Sequence, residues 1–269
     1  MKNEFLQLEF RNSLRSADRR GLSLLELLVV LTILIALGGI VVSTLPGMLK
    51  RTQVATAAAN VPEIESTIRR MAVLSQGQIG NRFDALITGS SSIDGNIPGY
   101  LGGAEVFETT SLSPAEIEAL RLIGITELVP ALDGADNATF GSHDQLPVAI
   151  GTDSRVCALS QEPALVLLRE GWNLEVDASS RFFVFGLGEQ CSLVGGGPKA
   201  AFSEAPVHFS DERDQSPEDM YSRYLILVEL KPSGDSEFVA RYAGTGIPGK
   251  YGISSMSNEL ESYYSDTEN

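Results

Sequence analysis

The chain has 269 residues, with 20 Lys and Arg against 35 Asp and Glu, a formal net charge of −15 and 43% hydrophobic residues. That is enough apolar mass for one large or two small domains, while 26 Gly, 12 Pro and 2 Cys exclude a collagen-like, disulfide-dense or wholly disordered chain. The acidic balance argues against nucleic acid as the main partner, because phosphate binding draws on Lys and Arg to release counterions; it leaves a membrane open.

The amino-terminal arm, residues 1–21, carries Lys2, Arg11, Arg15, Arg19 and Arg20. Leu22 to Leu45 then reads LSLLELLVVLTILIALGGIVVSTL, in which Glu26 is the only charge. As a helix this run extends roughly 36 Å at about 1.5 Å per residue, enough to cross a hydrocarbon core about 30 Å thick. The basic arm places the amino terminus in the cytoplasm. Lys50 and Arg51 on the far side weaken that assignment without reversing it. The remainder is then expected in the periplasm or its equivalent, with the anchor in the inner membrane.

A secretory signal peptide would have a shorter apolar core and a small-residue cleavage site, whereas this run continues into Thr44-Leu45-Pro46-Gly47. A twin-arginine signal fits poorly, since Arg19-Arg20 abut Gly21 and a carboxylate lies inside the run. No Cys near the run offers a lipoprotein site. Arg19-Arg20-Gly21-Leu22-Ser23-Leu24-Leu25-Glu26 instead resembles the processing site of the type IV pilin-like family, which includes the pseudopilins of type II secretion. The resemblance covers about 30 residues. It implies cleavage by a prepilin peptidase between Gly21 and Leu22, N-methylation of Leu22, and a role for Glu26 in assembly. Leu22 stands where the family most often has phenylalanine.

A charge within a membrane helix costs on the order of 2.5–3.5 kcal/mol near the centre and less near the interface. A freed amine on Leu22 of a neighbouring copy could pair with Glu26 and set the axial register of two subunits. In an ordinary single-pass anchor, Glu26 would instead reach headgroup water. Gly38-Gly39 and Pro46-Gly47 predict a kink or partial melting in a packed fibre; the glycines also suit a helix-packing notch.

Residues 46–75 continue the helix out of the membrane, with a restart at Asn60-Val61-Pro62-Glu63. Ile64, Ile68, Met71 and Leu74 form one apolar face suited to packing on a sheet. Gln76 to Ser111 reads as loops with short elements. Ser113-Pro114-Ala115-Glu116 opens a second helix with Ser113 as cap, Ile117, Leu120 and Ile123 on one side, and Gly124 at its end. Leu132 to Pro147 reads as a surface loop. Val156–Leu159, Ala164–Leu168 and Arg181–Gly186 read as strands. The clearest hairpin joins Arg223–Leu230 to Glu237–Tyr242 through Lys231–Asp235. Residues 254–269 form a polar, acidic tail. Phe182–Gly188, Ser203–Phe209 and Tyr221–Leu230 resemble carboxy-terminal parts of certain large prepilin-like proteins, a likeness that implies no activity.

Catalytic chemistry has little to work with. Only His143 and His208 are available, and HExxH, CxxC, GxSxG and GxxxxGK[ST] are all missing from the sequence. Cys157 and Cys191 both lie beside expected strands, so a disulfide between them competes with two separate buried thiols. Asp211-Glu212-Arg213-Asp214 with Glu218-Asp219, and Asp133, Asp136 and Asn137, are acidic clusters where calcium competes with a solvated loop. Neither has a recognisable ligand loop, so no metal or other cofactor is assigned. Gly195-Gly196-Gly197-Pro198 lacks the following helix and lysine of a phosphate cradle and reads as a turn.

The expectation is therefore an α+β chain of pilin-like architecture, a long amino-terminal helix against an antiparallel sheet. Its parts are a leader at 1–21, a transmembrane helix at 22–45, a soluble continuation at 46–75, a periplasmic head at 76–253 and a tail at 254–269. The expected role is a non-enzymatic structural subunit of a type II secretion pseudopilus or type IV pilus-like filament. Its partners would be the prepilin peptidase, other pilin-like subunits, the inner-membrane assembly platform and the membrane. Loss of residues 1–21 removes five basic and three acidic residues, leaving 15 against 32 and a net charge of −17. The competing expectation is a membrane-anchored periplasmic binding protein or enzyme whose head acts alone.

Overall fold

The computed structural model describes residues 23–88, 107–131, 145–159, 162–177, 179–197, 200–208, 221–234, 237–249 and 252–255. Two compact units meet at Met48/Leu49. In the first, the described residues belong to the opening part of α1 (Leu24–Leu74). The helix is unbroken at Gly38-Gly39, at Pro46-Gly47 and at Pro62, so the expected restart at Asn60 does not occur. Proline forfeits one backbone bond. Pro62 is exposed while its neighbours Val61 and Ile64 are buried, and their packing holds the turn.

The second unit comprises Leu49–Asn269. Nine strands among the described residues form its sheet: β1 (Arg82–Thr88), β2 (Glu108–Ser111), β3 (Glu127–Ala131), β4 (Val148–Ala149), β5 (Arg155–Leu159), β6 (Arg181–Gly186), β7 (Leu225–Pro232), β8 (Phe238–Gly249) and β9 (Gly252–Ser254). Their order is β4-β3-β1-β6-β7-β8-β9, with β5 also pairing β6 and carrying β2 on its other side. The sheet is mixed rather than antiparallel, because β1 and β3 run parallel from Arg82↔Glu127 to Thr88↔Ala131. A parallel pair needs a crossover, and the chain between β1 and β3 contains α2 (Pro114–Leu122).

Both faces of the sheet are covered. Phe183, Phe185, Ile226, Val228 and Leu230 point to one side, where Ile64 and Ile68 of α1 and Ile117 and Leu120 of α2 complete a core. Phe182, Val184, Leu225 and Leu227 point to the other, against Leu168 of α3 (Glu162–Trp172). This explains the unbroken apolar runs FFVF and LILV, since a strand buried on both faces has no polar side to alternate with. The expected strand Ala164–Leu168 lies inside α3. Leu165, Leu168 and Trp172 pack on the core at helical spacing, and a short apolar run alone does not separate the two structures. Leu74 is 72% exposed and leaves the expected inner face, which runs through Ala57, Val61, Ile64 and Ile68.

The start of α2 matches its sequence signal. Ser113 Oγ accepts from the Glu116 N–H, and the Glu116 side chain accepts from the Ser113 N–H at 2.8 Å. Gly124 closes the helix at φ +99°, a conformation open to glycine. The hairpin is present as β7 and β8. Its register shifts where Leu227 faces Gly244 but Val228 faces Tyr242, so Ala243 is an inserted residue. There Glu65 of α1 accepts from the Thr245 N–H at 2.9 Å, and Trp172 Nε1 donates to the Thr245 carbonyl at 3.1 Å. Arg69 stacks 5.1 Å over the Tyr242 ring.

Candidate functional site

The first unit offers a helix of one kind of surface. Leu24–Val42 is long and apolar enough to cross a membrane, and none of it is buried. Its 19 residues rise about 28 Å. Thr32 Oγ1 donates to the Leu28 carbonyl at 2.8 Å, so its hydroxyl is satisfied within the helix. A Cβ at Gly38 or Gly39 would meet nothing within 4 Å, so packing within this chain does not require glycine at either position.

Glu26 sits in the first turn of α1 and closes a capping box. The Ser23 N–H donates to Glu26 Oε2 at 2.8 Å, and the Glu26 N–H donates to Ser23 Oγ at 3.1 Å. The carboxylate thereby satisfies an orphan donor and lies at the positive end of the helix dipole. The Ser-x-x-Glu spacing of residues 23–26 was readable as a cap in the sequence. Gly21 and Leu22 lie outside the described residues.

In the second unit the sequence-expected chemistry does not converge. Cys157 and Cys191 are free thiols, so the disulfide is not formed. Cys157 lies in the core layer with Phe182 and Val184, and Cys191 in the layer with Phe183 and Phe185, on the opposite side of the sheet. Burial pushes the Cys191 thiol up to about 12 and raises that of Cys157 further. His208 is buried and meets the Tyr224 ring edge-on at 6.3 Å between centroids. His143 and both acidic clusters lie outside the described residues. Among those described, no group of three or more His, Cys, Asp or Glu is placed to hold a metal ion. Gly195 adopts φ +93° and its N–H donates to the Phe202 carbonyl at 2.9 Å, while the Ala200 N–H donates to the Gly197 carbonyl at 2.9 Å, as a β-turn requires.

The buried charges that sequence reading missed hold the fold together. Glu116 pairs with Arg181, which also donates to Thr110 Oγ1 at 2.8 Å. Glu229, fully buried on β7, takes Arg241 from β8 and Ser180 Oγ at 3.2 Å. Tyr221 donates to the buried Asp84 at 3.0 Å. Arg223 binds Glu189 at 2.6 Å and the Ala205 carbonyl beside a cavity of about 570 Å³. In these pairs and contacts each charge meets a partner that ties one element of the fold to another.

The chain matches no protein-family model, no curated protein and no solved structure. The protein is thus an α+β chain with an amino-terminal apolar helix and a curled mixed sheet.

Proposed function

We propose that the chain is a structural subunit of a pseudopilus or type IV pilus-like filament, cut by a prepilin peptidase after Gly21 and N-methylated on Leu22. The observation that carries this reading is the unburied apolar span Leu24–Val42, opened by a single carboxylate at Glu26 and preceded in sequence by Arg19-Arg20-Gly21. In this role the apolar helix is stored in the inner membrane with the head in the periplasm, and passes into a filament where neighbouring helices cover it. Glu26 then pairs with the terminal amine of a neighbour and fixes its axial position. Its partners are the peptidase, other pilin-like subunits and the assembly platform. The head contributes bulk and negative charge, which keeps neighbouring heads soluble.

One observation favours a solitary anchor. The Ser23–Glu26 capping box uses the Glu26 carboxylate within its own helix, so its place in the apolar run has a local explanation. Mass spectrometry of the intact chain and its amino-terminal peptide, on protein extracted from its native membrane, separates the two. A mature chain beginning at N-methylated Leu22 is expected. An intact Met1 arm in cells with active peptidase overturns the filament reading and leaves a single-pass anchor whose head acts alone.

A further inference from the structure

The sheet divides at β6. Strand β7 takes one edge of β6 from Arg181 to Gly186, so β1 and β5 share the other. There β5 lies opposite Phe182, Phe183 and Val184, while β1 meets β6 only at Asp84↔Gly186. Past Asp84, β1 is turned away. Its register against β3 is interrupted between Asp84 and Thr88, and Leu86 holds φ +56°, a left-handed conformation that a non-glycine residue adopts at a cost. Two branches leave β6 as a result: β1 with β3 and β4, and β5 with β2.

A cleft of about 470 Å³ is lined from both branches. Ala85 and Ile87 of β1, Leu128 and Pro130 of β3 and Val148 of β4 give it apolar walls. Ala85, Ile87 and Leu128 are buried, whereas Val148 is 56% exposed, so the apolar lining opens to solvent at β4. The turn Gly151–Ser154 and Arg155, which lead into β5, complete the lining. This turn is closed by its own bonds, since the Ser154 N–H donates to the Gly151 carbonyl and the Gly151 N–H to Ser154 Oγ, both at 2.9 Å. Asp153 and Arg155, two residues apart, are exposed and take part in no ion pair among the described residues. An apolar cleft is thus bordered by one anion and one cation.

We propose that this cleft binds the carboxy-terminal residues of a polypeptide that ends in an apolar side chain. The terminal carboxylate meets Arg155, the last peptide N–H donates to Asp153, and the apolar side chains lie against Ile87, Leu128 and Val148. The two charges decide the class of ligand. The last residue of a polypeptide carries an N–H donor and a carboxylate on one Cα, which suits an acid and a base two positions apart. A fatty acid supplies the carboxylate and leaves Asp153 facing a like charge. A free amino acid supplies both charges, but the volume lies in the range of drug-sized ligands, about 300–1,000 Å³, and exceeds what one residue fills. The cleft lies wholly within the second unit, so it serves a filament subunit and a solitary head alike.

The test is fluorescence anisotropy of a fluorescein-labelled Gly-Ser-Gly-Leu-Leu peptide titrated with the full chain in lipid nanodiscs, empty nanodiscs being subtracted. Saturable binding is expected, about fivefold weaker when the peptide ends in an amide. Arg155→Gln is expected to weaken the acid to the level of the amide and to leave the amide unchanged, a coupling that misfolding would not produce. Emission of Trp172, the single tryptophan, reports the fold of each variant. Val148→Asp is expected to weaken both forms more than about tenfold. Unlabelled acetyl-Leu-Leu is expected to displace the probe at concentrations about tenfold lower than octanoate or free leucine. Equal affinity of acid and amide overturns the Arg155 contact, and binding unmoved by Val148→Asp overturns the cleft as the site. Displacement by octanoate or leucine as strong as by acetyl-Leu-Leu overturns the polypeptide as ligand. No saturable binding up to about 1 mM chain overturns the proposal as a whole.

Discussion

Removing the Glu116 side chain tests the buried charge that joins α2 to the sheet. Glu116 is 1% exposed and meets Arg181, while also accepting from the Ser113 N–H and hydroxyl, both at 2.8 Å. Glu116→Ala loses half of a capping box, about 0.5–2 kcal/mol, and a charge-assisted contact of about 1.5–3 kcal/mol. Arg181 is 36% exposed and recovers hydration once its partner is gone. That places the expected loss in the lower part of the range, about 2–3 kcal/mol. The assay is urea unfolding of the detergent-solubilised chain followed by emission of Trp172, the single tryptophan. Arg181→Ala is expected to cost less, and the double variant less than the sum, with a coupling above about 1 kcal/mol. A loss under about 0.5 kcal/mol, or strict additivity, would refute the reasoning that this pair joins helix to sheet.

Glu26→Ala is expected to leave the head folded and to abolish anchor crosslinks in the membrane, whereas a solitary anchor would tolerate it. Gly244→Ala places a Cβ 2.5 Å from Trp172 Cδ1; a shift in Trp172 emission and a loss of about 1–3 kcal/mol are expected, and an unchanged spectrum would count against the close contact. The folded chain is expected to react with a thiol reagent only after denaturant is added, because both cysteines are buried. Cys191 titrates near 9.0 when unfolded and about 12 when folded. The unfolded state therefore loses its proton first, and stability is expected to fall as pH rises from 9 towards 12. Cys191→Ala should flatten part of that slope in urea titrations.

The elements with local signals were legible in the sequence. Ser113-Pro114-Ala115-Glu116 announced α2, Gly124 its end, and the turn between Leu230 and Glu237 the β7–β8 hairpin. What failed depended on distant partners. The run ALVLL has no period of its own, and only the placement of Leu168 and Trp172 against the sheet makes it helical. Strand β1 contains Asp84 and a left-handed Leu86 at φ +56°, so its sequence does not read as a strand. The layers separating Cys157 from Cys191 follow from strand parity around β6, which requires the register. At the candidate site, the apolar span was plain, while the Ser23–Glu26 cap was present in the spacing and overlooked.

Among the described residues, β8 is the last strand of the sheet before β9 joins it at Ile247. An unpaired strand edge is a template on which further chains can add, the usual route to runaway aggregation. At Thr245 that template is blocked, since its outward N–H is taken by Glu65 and its carbonyl by Trp172. Under the proposed filament reading, in which copies of the chain share one membrane, this biases the heads against joining sheet to sheet. Helices, whose backbone groups are already spent, would then be the surfaces left for reversible association in that reading.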